Sequence, residues 1–351
     1  MLTEVVSRFM ILHDVFAKIA TLCGIQYTTK ESRNLYEYDN ISTRFVISFF
    51  NGSPHQMIIE KFMNELAEKK IFIRDGRAES VVKLLGDFVA NYESRKTYKV
   101  NGTSKKVGTT IVKYIISCAE MDIVVEIDMS VEKKLGTNGT LDERCTMLLG
   151  LYLGTLVPHS KNTITLSLNS SQFWMIPKSV AKGLHCIIDL FASPINNISP
   201  KFCSMNPQWD APFGSIGSAQ DFNPVKFNTI MPIPKIGVNG FIFINPPYIE
   251  DVMEFAVKEA EWLMTYDPHK RAIMITLPDW TDSPANVNAM KSKWLRCQIG
   301  MDKHKHYYET GNGKTIVAKF RSRVFLMYHE DNPALVELFK SVITNHFIMK
   351  S

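Results

Sequence analysis

The 351-residue sequence predicts an α/β chain in two parts, a mainly helical domain over residues 1–160 and a mostly parallel, doubly wound sheet domain over residues 161–351. Three observations predict it. Apolar residues recur at helical steps of three and four through much of the first part. The second part switches to short apolar runs at 185–191, 240–244, 272–277 and 324–328, bounded by Gly, Pro and Asn clusters and of a length that suits buried strands. Between two of those runs, residues 250–265 carry helical periodicity, and strands alternating with helices imply parallel crossovers.

In chain order, Val5, Phe9, Leu12, Phe16 and Ile19 put one apolar stripe on an opening helix. Ile59, Phe62, Met63 and Leu66 repeat the spacing, as do Val81, Leu84, Leu85, Phe88 and Tyr92, with Asp75 and Gly76 as a turn between them. The segment 94–114 carries Arg95, Lys96, Lys99, Lys105, Lys106 and Lys113 without a carboxylate, and Asn101 with Gly102 offers a hairpin turn. It reads as a solvated basic loop or as a surface for phosphates. A further helix is predicted over 141–156.

Composition excludes several classes. No apolar run reaches the ~18 residues of a membrane span, since Glu4, Arg8, Asp14 and Lys18 interrupt the N-terminal stretch, which also lacks the form of a secretory signal. The expectation is an intracellular protein, in nucleus or cytoplasm, with no membrane partner. Cys23, Cys118, Cys145, Cys186, Cys203 and Cys297 are scattered without a Cys-x-x-Cys pair, which suggests neither zinc nor disulfides. A net charge of +5 is too small to imply nucleic acid by itself.

Asn245, Pro246, Pro247 and Tyr248 follow an apolar strand and precede a helix, at the carboxyl end of a sheet strand where open α/β sheets bind ligands. An exocyclic adenine amine is a poor nucleophile because its lone pair is delocalised into the ring. The Asn245 side-chain oxygen and the Pro246 carbonyl can each accept one of its N–H bonds, turning the lone pair outward and stabilising positive charge that develops on nitrogen. Proline fixes φ and removes competing donors, and Tyr248 offers a face to stack on a base. Asn-Pro and Pro-Pro are also ordinary turn dipeptides. Earlier, the strand ending at Asp189 runs into Phe191, Ala192, Ser193, Pro194 and Asn196, a turn of mostly small residues that lets backbone approach a cofactor, such as the methionine part of S-adenosylmethionine; a plain strand exit has the same form.

The series FASPINN at 191–197, FGSIGSAQDF at 213–222, GFIFINPPY at 240–248 and LPDW at 277–280 resembles, in order and spacing, the phosphorylated CTD interacting factor family, over roughly residues 171–330 and with a lead-in SQFWMIPKSVAKGL. The resemblance implies a compact, Rossmann-like, S-adenosylmethionine-dependent methyltransferase acting on N6 of the adenosine beside a 7-methylguanosine mRNA cap, with capped RNA beginning with adenosine as partner. It implies Asn245, Pro246, Pro247 and Tyr248 as the catalytic motif. It implies Asp189, Phe191, Ala192, Ser193, Pro194, Asn196, Phe213, Gly214, Ser215, Asp221 and Asn245 around the cofactor. Pro278, Asp279 and Trp280 resemble the family's segment near the cap, where an aromatic face and a carboxylate suit a cationic base; after a strand, such residues also serve as cap and packing. Larger members carry a WW domain that binds the polymerase tail. None of the five tryptophans here has the spacing of such a pair, so no WW-type tail binding is expected.

Downstream, Lys291, Lys293, Arg296, Lys303, Lys305, Lys314, Lys319, Arg321 and Arg323 are interleaved with His304, His306, Tyr307 and Tyr308. Together with Lys105 and Lys106, Arg321 and Arg323 are candidates for RNA phosphates, and Tyr307 or Tyr308 for base stacking. The two histidines would share one strand face, but with no third ligand they predict no metal. Two other readings compete: N6-adenine methylation of DNA or internal RNA, because the Asn-Pro-Pro-Tyr motif is shared with such enzymes, and a non-catalytic RNA-binding subunit.

Overall fold

A computed structural model describes residues 1–25, 38, 41–42, 45–46, 49, 54–71, 73, 76–91, 99–119, 121–152, 158–160, 163–167, 174–224, 240–267 and 270–349. Asp75, Tyr92, Arg95 and Lys96, and the end of the helix expected over 141–156, lie outside them. The chain divides into two units, Met1–Glu132 with Gly139–Leu168, and Lys133–Asn138 with Asn169–Ser351. No helix among the described residues is long and apolar enough to cross a membrane.

In the first unit, α1 (Leu2–Leu22) buries the expected stripe of Val5, Phe9, Leu12, Phe16 and Ile19. α2 (His55–Glu68) buries Ile58, Phe62 and Leu66, so its stripe runs through Ile58 where Ile59 and Met63 were expected. α3 (Ala78–Asn91) buries Val81, Leu85 and Phe88. The rings of Phe16, Phe45 and Phe62 meet at the centre of this helical part, with centroids 5.6 to 6.0 Å apart.

Beside these helices the first part carries a sheet that its sequence did not announce. β1 (Val100–Val107), β2 (Ile111–Cys118) and β3 (Met121–Asp128) form an antiparallel meander. With β4 (Pro158–Ser160) and β5 (Thr163–Ser167) they complete a five-stranded sheet of order β1-β2-β3-β5-β4. Asn101 and Gly102 lie inside β1, paired with Ser117 and Ile116, and the chain reverses instead at 108–110, where Gly108 has φ +67°. β1 is an edge strand exposed along most of its length, with Lys105 and Lys106 on opposite faces, a composition that discourages pairing with another chain and hides the strand from a reading based on apolar alternation. Two helices flank the turn at 137–140, α4 (Met129–Gly136) and α5 (Leu141–Leu151). α5 starts on a reciprocal cap: the Thr140 hydroxyl accepts the Glu143 amide and the Glu143 carboxylate accepts the Thr140 amide.

The second unit is a mixed α/β structure. α6 (Lys178–Gly183) leads into β6 (Cys186–Asp189), and β7 (Phe241–Ile244), α7 (Glu250–Tyr266), β8 (Ala272–Pro278), α8 (Pro284–Lys291) and β9 (Leu295–Met301) follow. A small hairpin, β10 (Tyr307–Glu309) and β11 (Thr315–Val317), precedes β12 (Ser322–Met327) and α9 (Pro333–His346). The main sheet has the order β6-β7-β8-β12-β9. β6, β7 and β8 are parallel, as expected, while β12 runs antiparallel to both its neighbours.

β7 and β8 are buried at every residue because the sheet is covered on both faces. One face packs Ile242, Ile244, Ile273, Ile275 and Phe325 beneath α7, where Ala256 and Ala260 allow close approach. The other packs Phe241, Phe243, Met274, Val324 and Leu326 against Val180 of α6 and Phe339 of α9.

β7 begins at Gly240, whose φ is +92° and where an added Cβ would stand 2.5 Å from the Ile187 side chain of β6. Gly240→Ala combines an unfavourable backbone conformation with overpacking and should cost roughly 2 to 4 kcal/mol. Urea denaturation checks this; an unchanged midpoint would show that the start of β7 tolerates a side chain.

Candidate active site

After β6 the chain returns to lay Phe202 parallel to Asp189, and then Ser215 parallel to Phe202. The Cys203 amide donates to the Asp189 carbonyl at 2.8 Å, and the Ile216 amide to the Phe202 carbonyl at 2.9 Å. β7 is then added on the opposite side of β6. The direction in which strands are added reverses between β6 and β7, and an open α/β sheet has its ligand crevice at the carboxyl ends of such a pair. Asp189 is in register with Phe243, and the Leu190 amide donates to the Phe243 carbonyl at 2.9 Å. Phe191 and Asn245, each two residues further on, leave the sheet at the same edge.

The turn after β6 is held by its own polar groups. The Phe191 amide donates to the Asp189 carboxylate at 3.2 Å. The Ser193 amide and hydroxyl both donate to the Asn196 side-chain oxygen, at 2.7 and 2.8 Å. The Ala192 amide donates to the Cys203 carbonyl at 3.0 Å, and Pro194 is buried beside it. Lys134 Nζ donates to the Ile195 carbonyl at 2.7 Å. Asn196 is thus a buttress of the turn through its oxygen. Of the next loop, Phe213 is buried and Gly214 has φ +108°, with the Pro200 carbonyl oxygen 2.6 Å from where a Cβ would be. Ser215 shares a hydrogen bond with Ser204 at 2.9 Å, and Asp221 is exposed and accepts the Ser218 hydroxyl at 2.6 Å.

Two carboxyls in this region are almost fully enclosed. Burial pushes Asp189 up to about 7, against the pull of the Phe191 and Ile198 amides and of Lys134. Burial likewise pushes Asp210, which follows the Phe202 strand position, up to about 7 against the Ser204 hydroxyl. Burial lowers Lys134 to about 8, with Lys178 adding to the effect and Asp189 opposing it. Asp210 and Lys134 were not singled out in the sequence; only the position of Asp210 just before the FGS motif marks it.

At the end of β7, the Asn245 side-chain nitrogen donates to the Trp174 carbonyl at 3.4 Å. Pro246 is buried and Pro247 exposed. The Pro247 carbonyl accepts the Ile249 amide at 2.8 Å, whereas among the described residues no donor reaches the Pro246 carbonyl. The Asn245 oxygen has one contact among the described residues, the Tyr248 hydroxyl at 3.5 Å. Tyr248 bonds more closely to the Tyr308 hydroxyl, at 2.8 Å. Its ring meets Phe320 edge-on, 5.6 Å between centroids, and Phe320 stacks on Trp174 at 5.7 Å and 8°. Trp174, Phe320 and Tyr308 are separated from the motif by 60 residues or more in sequence and leave no local signal there.

At the end of neighbouring β8, Pro278 is buried, while Trp280 is 43% exposed. The loop is tied to the start of α7, where the Glu250 carboxylate accepts the Ser283 hydroxyl at 2.8 Å and the Ala285 amide at 3.2 Å. Asp279 departs from its expected place facing a base: its side chain is 2% exposed, is gripped by Arg323 through Nε at 3.0 Å and Nη2 at 2.9 Å, and lies 3.4 Å from Arg321. Arg323 also donates to Gln298 at 2.8 Å, so it is an internal clamp, while Arg321 keeps an exposed side chain. Tyr308 is fully buried and unavailable for base stacking. His304 is exposed with φ +62° and His306 is buried, so the two share no strand face. Among the described residues no group of side chains could hold a metal ion, and the cysteines are free. Lys105 and Lys106 are exposed on β1 of the first unit.

A family model described as "Phosphorylated CTD interacting factor 1 WW domain" matches residues 140–311. That span contains β6, β7 and β8, and its description names a WW domain, whereas the sequence led to the expectation of no WW-type tail binding. Two curated relatives carry the name mRNA (2'-O-methyladenosine-N(6)-)-methyltransferase: one from Homo sapiens, 28% identical over 143 residues, and one from Mus musculus, 27% identical over 143 residues. Each match covers 39% of this chain and 18% of the relative, so the chain spans less than a fifth of the curated proteins it matches.

Asp189 and Asp210 bind their protons more tightly in the folded state than at the ordinary value of 3.8. The folded protein therefore holds more protons between 3.8 and about 7, and stability falls as pH rises through that window. Urea midpoints of the ligand-free protein should decline from pH 5 to pH 8, and less steeply in Asp189→Asn. An equal decline in that variant would show that Asp189 is not protonated on folding.

Proposed function

We propose, from the family-model match over residues 140–311 and the geometry of the β6–β7 edge, that this chain is a member of the phosphorylated CTD interacting factor family and that its second unit is a Rossmann-like, S-adenosylmethionine-dependent methyltransferase acting on N6 of an adenosine in RNA. The observation that carries the reading is the position of Asn245 to Tyr248 at the carboxyl end of β7, beside the Asp189 turn and at the reversal of strand order. The finer reading is the adenosine next to an mRNA cap. The names of the two relatives and the exposed Trp280 on the adjacent strand end support it.

The residues fit such a cofactor. Asp189 is a nearly enclosed carboxylate whose charged form lacks solvent, and the ammonium of a bound amino acid moiety would add a counter-charge to that of Lys134. The turn at 191–197 and Gly214 keep backbone close to that position. When bound, S-adenosylmethionine supplies an electrophilic methyl group on a sulfonium.

The protein's part is to hold the amine. The Trp174 carbonyl takes the Asn245 side-chain nitrogen, so the side-chain oxygen faces away from it and, with the Pro246 carbonyl, offers two acceptors to the two N6–H bonds. Accepting both turns the nitrogen lone pair out of conjugation and stabilises the positive charge that grows on nitrogen, more in the transition state than in the ground state. The rigid Asn-Pro-Pro backbone holds these acceptors without reorganisation. Trp280, exposed at the neighbouring strand end, would stack on the cationic cap base; Asp279, clamped by Arg323, holds the loop rather than reading the base. Lys105, Lys106 and Arg321 are exposed cations for the phosphates of the capped RNA.

Asn245→Ala should lower kcat about a hundredfold, roughly 3 kcal/mol, with cofactor affinity retained, as read by transfer of a labelled methyl group to RNA beginning with adenosine. Near wild-type turnover would remove the motif from the reaction. The cap is tested on the same RNA with and without it. Wild-type turnover should drop when the cap is absent, and Trp280→Ala should lose about 1 to 3 kcal/mol on capped RNA only. Equal turnover on both RNAs would transfer the assignment to internal RNA or DNA adenine.

A further inference from the structure

The hydroxyl of Tyr248 is the first member of a buried hydrogen-bonded chain that the reaction above does not use. Tyr248 Oη lies 2.8 Å from Tyr308 Oη, Tyr308 Oη 2.9 Å from Ser322 Oγ, and Ser322 Oγ 2.8 Å from His306 Nε2. His306 Nδ1 closes the chain at 2.9 Å from the Asp302 carbonyl. Tyr308, Ser322 and His306 are each 0% exposed, so no bulk water competes for these bonds.

A carbonyl can only accept, and this determines the direction of every bond in the chain. Nδ1 of His306 must carry the hydrogen it donates to Asp302, so in the neutral ring Nε2 is the acceptor. Ser322 then donates to Nε2 and accepts from Tyr308, and Tyr308, its single proton committed, accepts from Tyr248. The Tyr248 proton consequently points away from the Asn245 oxygen, which lies at a looser 3.5 Å. We infer that His306, Ser322 and Tyr308 are positioning residues, a directional relay that keeps the Asn245 oxygen open to the substrate amine. This rests on the assignment of Asn245 made above.

Protonating His306 would reverse the chain. With hydrogens on both ring nitrogens, Nε2 donates to Ser322, Ser322 to Tyr308, Tyr308 to Tyr248, and Tyr248 to the Asn245 oxygen, capping the acceptor; each hydroxyl rotates and the only proton gained is the one on the ring. Burial lowers the pKa of His306, with the Asp302 carbonyl and carboxylate opposing, and burial raises Tyr308 to about 12, so a neutral ring and protonated hydroxyls are the ordinary state. Among the described residues, the groups that face His306 are Ser322 of β12, Tyr308 of β10, Phe320, Phe347 and Asp302, whose carboxylate pairs with Arg321 at 3.4 Å.

The test is a double-mutant comparison. In Tyr308→Phe the Tyr248 hydroxyl keeps only the Asn245 oxygen as a partner, and kcat should fall about tenfold with KM and cofactor affinity unchanged. Adding Tyr248→Phe removes the offending proton, so the double variant should be faster than Tyr308→Phe and match Tyr248→Phe alone. A pair of merely structural residues gives further loss, and a double variant as slow as or slower than Tyr308→Phe would overturn the relay. Should Tyr308→Phe fail to fold, Ser322→Ala breaks the same chain, and the same rescue by Tyr248→Phe is expected. The wild type should also lose turnover as His306 protonates at acid pH, and Tyr248→Phe should lack that dependence. Nitrogen-15 NMR of the histidine rings in the ligand-free protein should find hydrogen on Nδ1 of His306. Hydrogen on Nε2 alone would overturn the relay whether or not the protein is active, whereas inactivity on every RNA with the Nδ1–H form present would count against the reaction and not the relay.

Discussion

The parallel pairing of β6 with β7 is the constraint on which the site depends. Its register places Asp189 opposite Phe243, and everything functional on the two strands is counted from that pair. A slip of one residue would send Asn245 to the other face of the sheet, because side chains alternate along a strand. Gly240 protects the register by letting β7 start hard against Ile187. The Leu190 amide bound to the Phe243 carbonyl extends the pairing just past the end of β6. Two turns with different tasks are thereby held side by side, one rich in backbone donors and a buried carboxyl, the other rich in acceptors.

Those tasks call for opposite electrostatics. Asp189 and Asp210 are desolvated carboxyls whose burial favours the protonated form, with Lys134 opposing at Asp189, and such an environment suits a cationic ligand group. Asn245 and Pro246 present neutral acceptors, which in the proposed reaction would attract a developing positive charge without the desolvation penalty of a carboxylate. In the proposed reaction neutral oxygen atoms would also leave the amine without a strong base beside it, so the proton lost after transfer would depart through solvent or substrate rather than through Asn245.

Much of this was legible in the sequence, and the reasons are local. β7 and β8 are continuous apolar runs because both faces of the sheet are covered, and a continuous apolar run followed by Asn-Pro-Pro-Tyr is conspicuous. α1 was legible because Val5, Phe9, Leu12, Phe16 and Ile19 keep one stripe over the whole helix. β1 was not: its lysines and Asn-Gly pair belong to an edge strand whose hydrogen bonds come from β2, so the strand has no apolar alternation of its own. Asp279 could not be read either. A carboxylate next to an exposed tryptophan looks available for a ligand until Arg323, 44 residues away, is found to grip it. Tyr308, Ser322 and His306 carry no motif, since their connection to Tyr248 exists only once β10 and β12 are folded against β7 and β8.

That connection follows from the one antiparallel reversal in the main sheet. β12 runs opposite to β8, so its first residues, Ser322 and Arg323, arrive at the edge where β7 and β8 end, with Ser322 opposite Pro278. Alternation then divides their work. Ser322 shares a face with Val324 and Leu326, the face of Phe243 and hence of Asn245, and there it meets Tyr308 and His306. Arg323 shares the other face with Phe325, beneath α7 and α8, and there it clamps Asp279 and steadies the loop that carries Trp280. A parallel strand at this position would have delivered its amino end to the far side of the sheet, and neither the hydroxyl chain behind Asn245 nor the clamp on the Trp280 loop could be built from it.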